Sequence, residues 1–170
     1  MQAGNPGAPA EKKGSSALIA VVVLAAVLVM CVAFIGVLAA IAIPSFVGYM
    51  RRAKTTEATA NLRTLAASEA SYIESGQRIV TSAGPLPASP GQTKQLAAFA
   101  SDPGFSALGF APSDPVYYSY SIVPDPVTPG GAILRAQGDL DGDGLLSTFE
   151  IRCSRDAICD RTPSVTNETE

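Results

Sequence analysis

The stretch from Gly14 to Met50 contains no charged side chain. Within it, Ala17 to Val47 spans 31 residues in which only Gly36, Pro44 and Ser45 interrupt the apolar side chains. About 20 apolar residues suffice for a helix to cross the hydrocarbon core of a bilayer. The stretch is also longer than the apolar region of a signal peptide, which runs to about 7–15 residues. The sequence therefore predicts a membrane-spanning helix that stays with the mature protein.

The length of this helix exceeds what a bilayer needs. At ~1.5 Å per residue, 31 residues reach roughly 46 Å, against a hydrocarbon core of ~30 Å. The surplus can be absorbed by tilting the helix in the bilayer. It can also be covered by other helices, because apolar surface left in water costs ~25 cal/mol per Å². The sequence leaves both explanations open.

The end of the apolar stretch carries a recognisable pattern. It reads GVLAAIAIPSFVGYMRRAK from Gly36 to Lys54, with Pro44 inside an apolar helix and a basic cluster after Tyr49. This resembles the N-terminal helix of type IV pilins and of the pseudopilins of type II secretion. The resemblance implies one long helix that spans the membrane before assembly and then packs with copies of itself or with other pilin subunits in a filament. Since proline removes a helix hydrogen bond, it also implies a helix kink at Pro44.

The start of the chain departs from the family. We expect residues 1–14 to form a leader or a cytoplasmic tail, and the resemblance implies possible processing between Gly14 and Ser15 by a prepilin peptidase. Pilins carry a glutamate a few residues after the cleavage point. That glutamate would fall at Ile19 when counted from Gly14, or at Val27 when counted from Pro44, and both residues are aliphatic. An acid inside a membrane is costly and is retained for a function.

Two signals for the orientation of the span disagree. The flanking basic residues are two before the span and three after it, namely Lys12, Lys13, Arg51, Arg52 and Lys54. By the positive-inside rule this slightly favours a C-terminus inside the cell. Cys153 and Cys159 favour the opposite, because a disulfide between them requires an oxidising compartment. A metal site at this pair is the alternative, although the chain has no histidine.

The resemblance to pilins favours the orientation in which the head lies outside the cytoplasm. Many pilins close a C-terminal loop with a disulfide, which implies that Cys153 and Cys159 are bonded. Residues 51–170 would then lie outside the cytoplasm. We therefore expect a single-pass inner-membrane protein, in contact with membrane lipid, whose head is displayed outside and can be assembled into a surface filament.

The membrane helix is predicted to continue beyond the bilayer. From Tyr49 to Ser75 the chain has no proline or glycine. Apolar residues recur there at three- and four-residue steps, typical of an amphipathic helix: Ala58, Leu62, Leu65, Ala66, Ala70, Tyr72 and Ile73. These signals predict one helix from about residue 16 to 75, ended by Gly76. The alternative is a break near Gly48 that separates two helices.

The remaining chain predicts a small β-rich head. Repeated prolines between Gly84 and Gly130 exclude long elements there, apart from a helical turn or two from Gln95 to Ala100. Strands are predicted between Pro115 and Pro124, from Ala132 to Ala136, and from Leu146 to Cys153. The expected fold class is α+β, a long N-terminal α-helix packed on a small antiparallel β-sheet head. Its segments are 1–14, the transmembrane helix 15–50, the amphipathic continuation 51–76, and the head 77–170, with Thr162 to Glu170 as a frayed end.

One motif in the head carries explicit chemistry. The segment DLDGDGLLSTFE fits the twelve-residue calcium loop position by position. Its expected ligands are Asp139, Asp141, Asp143, the carbonyl of Leu145, Ser147 directly or through water, and a bidentate Glu150. Ca²⁺ takes six to eight oxygen ligands, which requires alternate acids and glycines at the turn. The alternative is a metal-free hairpin turn, because Asp-Gly is itself turn chemistry.

Other functional classes find little support. The sequence has no histidine, nucleophile elbow or phosphate loop, so we expect no enzymatic activity. The formal net charge of −3 gives no nucleic-acid signature. Two functions remain: a pilin-like structural subunit of a type IV pilus or secretion pseudopilus, serving attachment, motility or export, and a permanently anchored envelope protein that displays a binding head without forming filaments.

Overall fold

The computed structural model describes residues 13–168. Helix α1, Lys13–Glu74, is the single helix in this range that is long and apolar enough to cross a membrane. The helix continues without a break through Gly48, as predicted, and it ends within two residues of Gly76. The chain divides between Phe46 and Val47 into two compact units.

The first unit consists of the apolar part of α1. Every large apolar side chain from Leu18 to Phe46 is 52–71% exposed. These side chains occupy all faces of the helix, so this unit has no polar face for contact with water. The same side chains form no packed core within the unit. A helix that is apolar on every side needs lipid or other helices around it.

The second unit holds the rest of α1 and a five-stranded sheet. The strands are β1 (Ala83–Leu86), β2 (Ser119–Pro124), β3 (Ala132–Gly138), β4 (Ser147–Cys153) and β5 (Ser164–Thr166). Each strand pairs antiparallel with the next, in the order β1-β2-β3-β4-β5. A 3-10 helix (Phe99–Ser101) and α2 (Pro103–Ala107) lie between β1 and β2. The α+β fold class predicted from the sequence is confirmed.

The core of this unit joins the helix to the sheet. Ala58, Leu62 and Leu65 of α1 have no exposed surface, and they belong to one apolar cluster with side chains from β2, β3 and β4. A strand that packs one face on a core buries every second residue. β4 shows this pattern, because alternate residues from Ser147 to Cys153 are buried. The amphipathic stripe therefore packs where its spacing predicted.

The three central strands were predicted, but the two edge strands were not. β5 lies in the segment expected to be frayed, and that expectation is wrong for Ser164–Thr166. All three residues of β5 are exposed, so the strand has no hydrophobic pattern to detect. It forms because its backbone pairs with β4, where Val165 lies opposite Phe149.

The segment before β2 also differs from the expectation. At the start of the expected helical turn, Gln95 instead forms an isolated bridge with Val116, with N–H to carbonyl distances of 2.8 and 2.9 Å. The turn itself begins at Phe99, as the 3-10 helix, and α2 follows with Asp102 as its cap. Its Oδ1 accepts the N–H groups of Gly104 at 2.8 Å and Phe105 at 3.1 Å, with Pro103 in the first helical position.

Candidate functional site

The predicted calcium loop connects β3 to β4. Asp139, Asp141 and Asp143 offer carboxylate oxygens that all lie within 4.8 Å of one another. Gly142 and Gly144 have φ angles of 80° and 88°, in the left-handed region that only glycine enters readily. These two glycines allow the short loop to turn all three acids to one side.

Backbone amides hold the three acids in place. Asp139 Oδ1 accepts the N–H of Gly142 at 2.7 Å, Asp141 Oδ1 that of Asp143 at 3.3 Å, and Asp143 Oδ1 that of Leu145 at 2.7 Å. Each bond is local and fixes a turn of the loop. Together they keep one oxygen of each carboxylate engaged while the like charges remain close.

Two side chains from other elements reach the loop. Arg51 Nη1 lies 3.1 Å from Asp141 Oδ2, so α1 supplies a positive charge to the acidic cluster. The side-chain amide of Gln92 donates to the backbone carbonyl of Asp141. The loop is thus tied to the helix and to the segment before β2.

The last two predicted side-chain ligands have hydrogen-bond partners outside the three aspartates. The Ser147 hydroxyl is buried and donates to the carbonyl of Gly138 at 3.2 Å. Glu150 accepts from Arg135 Nε at 2.7 Å, on the neighbouring strand. The Leu145 side chain is 56% exposed. Among the described acids, Asp139, Asp141 and Asp143 come close together and Glu150 is not one of the group. Whether Ser147 contributes an oxygen stays a prediction.

The physical reason is the strand that comes after the loop. In the helical form of this motif the twelfth residue folds back over the ion, whereas β4 starts at Ser147 and runs away at ~3.3 Å per residue. Three residues later Glu150 is about 10 Å further along the strand. The three aspartates fit a divalent cation with hard oxygen donors. Glu150 does not fit as a fourth carboxylate ligand.

The cysteines form the predicted disulfide. Cys153 and Cys159 are bonded, with their Cα atoms 4.0 Å apart. The bond closes a short loop at the end of β4, in which Ser154 N–H donates to the carbonyl of Ile158 at 3.0 Å. In this bonded form neither thiol is free to ligate a metal. Cys31 is a free, exposed thiol in the apolar part of α1.

The remaining predicted residues lie in α1. Gly14 and Ser15 belong to its first helical turn, and the rest of the predicted leader, residues 1–12, lies outside the described residues. Pro44 is inside α1. The Ser45 hydroxyl next to it donates to the carbonyl of Ile41 at 3.1 Å. The processing point and the kink stay predictions.

Two buried carboxylates were missed by the sequence analysis. The side chain of Asp125, after β2, has no exposed surface, and its Oδ1 accepts the N–H of Val127 at 2.9 Å and Arg152 Nη1 at 2.8 Å. The bond from Val127 is the main reason why the pKa of Asp125 is lowered. This acid is compensated, and it ties the β2–β3 connection to β4.

Glu69 is the second, and it lacks such compensation. It has no exposed surface, and burial raises its pKa to about 7, opposed only by a hydrogen bond from the Val80 N–H. The sequence contained a signal that Glu69 would be buried. Glu69 lies four residues after Leu65 and three before Tyr72, which places it on the apolar stripe of α1.

No protein family, curated protein or solved structure matches the chain.

Proposed function

We propose that this chain is a pilin-like structural subunit, held in the inner membrane by α1 with its head outside the cytoplasm. The observation that carries the proposal is the apolar part of α1. Its large side chains from Leu18 to Phe46 are more than half exposed on every face. Such a surface is stable only in lipid or among other helices, which are the two environments a pilin helix occupies in turn.

The head supports this proposal independently. The same α1 that carries the apolar segment also supplies Leu62 and Leu65 to the core of a small antiparallel sheet. The disulfide between Cys153 and Cys159 is typical of proteins outside the cytoplasm. A helix that anchors at one end and organises a stable head at the other is suited to a structural role, and we propose no catalytic one.

We further propose that the Asp139, Asp141 and Asp143 loop holds Ca²⁺ in a structural role. Three carboxylates within 4.8 Å repel one another. A divalent cation would offset this repulsion and stabilise the connection between β3 and β4. Backbone carbonyls and water would complete its oxygen ligands.

Cross-linking of α1 in the native membrane tests assembly. Of the three cysteines in the sequence, two are bonded to each other, which leaves Cys31 as the reporter. Single cysteines at each position from 28 to 34, in a Cys31→Ser background, cover two turns of the helix. Assembly predicts oxidative dimers, or adducts with other subunits, that recur on one or two faces. Cys31→Ser alone is the matched control and gives no cross-link.

Sequencing the N-terminus of the membrane protein separates assembly from the second candidate, a permanently anchored binding protein. That candidate is favoured by Ile19 and Val27, the aliphatic residues at the positions where pilins carry a glutamate. A chain that starts at Ser15 with a methylated amine supports assembly after action of a prepilin peptidase. An intact N-terminus together with no cross-link at any of the seven positions contradicts it.

A further inference from the structure

Glu69 is a buried acid with one weak attachment. It has no exposed surface. Its Oε2 accepts the backbone N–H of Val80 at 3.1 Å, and its Oε1 has no hydrogen-bond partner among residues 13–168. Burying an ionised carboxylate without a countercharge is strongly unfavourable.

No countercharge faces this carboxyl group from the described elements around it. Within two turns of Glu69 on α1, the titratable or charged groups are Arg63, which is exposed, Tyr72 and Glu74; Arg78 lies in the segment after α1 and Asp102 at the start of α2. Asp102 is engaged with the N–H groups of Gly84, Gly104 and Phe105. Arg78 is exposed and lines a cleft on the surface. The environment of Glu69 therefore favours its neutral form.

The hydrogen bond from the Val80 N–H to Glu69 joins α1 to a segment without regular structure. Residues 77–82 connect the end of α1 to β1. The segment bonds to the helix through the Val80 N–H on Glu69 and the Gln77 N–H on the carbonyl of Tyr72, and Ile79 and Val80 pack against the core. Arg78, Ile79 and Thr81 flank Val80 and form one wall of a cleft of about 540 Å³. Arg155, in the disulfide loop, lines the same cleft. Movement of the segment would change the shape of this cleft.

We propose that Glu69 is a proton-operated latch for residues 77–82. When the carboxyl group is protonated, the segment stays closed on α1 through the Val80 N–H. When the carboxyl group is ionised, opening of the segment is favoured because it lets water reach the charge. The cleft bounded by Arg78 and Arg155 is then remodelled as the pH rises.

The direction of the effect is set by proton linkage. The pKa of Glu69 is raised from 4.5 to about 7 in the closed state. Between these two values the closed state binds more protons than the open one, so it loses stability as the pH rises from 4.5 to 7 and changes little above that. From pH 5 to pH 8 this corresponds to an increase of up to about 70-fold in the opening constant.

Hydrogen exchange of the full chain in lipid nanodiscs tests the latch. After correction for the intrinsic pH dependence of exchange, residues 77–82 should lose protection by tens of fold between pH 5 and pH 8. Glu69→Gln, a neutral isostere, should give the same protection at both pH values. Glu74→Gln removes an exposed acid from the last turn of α1 and should behave as wild type.

Peptides from β3 and β4 show whether the effect is local. Constant protection in these strands across the pH range supports the latch. A uniform loss over the whole head overturns it, as does a wild-type profile that is flat for residues 77–82. If Glu69→Gln does not fold, the wild-type profile and the Glu74→Gln control still decide between these outcomes.

Discussion

From Leu18 to Phe46 every large apolar side chain is more than half exposed, whereas Leu62 and Leu65, further along the same helix, have no exposed surface. The two segments share helical structure and similar side chains. They differ in where the partners of those side chains are found. The head supplies its own partners from four strands, the 3-10 helix and α2, but the first segment has to find lipid or other helices. Stability of the head should therefore be insensitive to changes in the first segment.

The largest effect is expected from one of two matched substitutions, each of which shortens a leucine side chain to alanine. Leu62→Ala removes a fully buried side chain and should lower the free energy of unfolding of the head by about 2–5 kcal/mol. Leu28→Ala makes the same chemical change at a side chain that is 58% exposed and should alter it by less than about 0.5 kcal/mol. Urea unfolding of both variants in nanodiscs gives the two values. Equal losses would contradict the separation of the two units.

The cysteines offer a second contrast between the same segments. Reduction of the Cys153–Cys159 bond should destabilise the head by about 2 kcal/mol. The bond closes a short loop and so lowers the entropy of the unfolded chain, and reduction removes this restriction. Cys31→Ser changes the thiol in the apolar segment and should leave the unfolding midpoint unchanged. Thermal unfolding with and without reductant measures both effects. A midpoint that does not respond to reductant would argue against a stabilising role for this bond.

The calcium proposal can be sharpened by comparing two acids of the predicted loop. At a free Ca²⁺ concentration about ten times the Kd, binding should stabilise the head by about 1.4 kcal/mol, and a chelator should reverse the gain. Asp143→Asn should weaken this response, since its amide oxygen can keep the bond to Leu145 and still ligate Ca²⁺ but the charge is lost. Glu150→Gln should retain the response, because Glu150 is paired with Arg135. A chelator without effect on the wild type would refute calcium binding.

The sequence predicted the features that depend on side-chain pattern. The stripe through Leu62, the period of two in β4 and the long apolar segment of α1 all leave a periodic or compositional signal, and so did the disulfide. β5 forms by backbone pairing with exposed side chains, which leaves no such signal. The departure of Glu150 from the acid cluster depends on the type of element after the loop. A local motif cannot distinguish a strand from a helix there, although the two place its last residue differently.

The smallest expected effect concerns Pro44, which lies near the boundary of the two units. Pro44→Ala restores an N–H that can bond to the carbonyl of Ala40, and it removes the clash of the proline ring with the preceding turn. The head should keep its stability to within about 0.5 kcal/mol, because no core side chain is touched. Hydrogen exchange over residues 40–48 should instead slow, and cross-links that need a bent or unwound helix should weaken. Unchanged exchange there would show that the helix is already regular at Pro44. The proline would then need an explanation other than a kink.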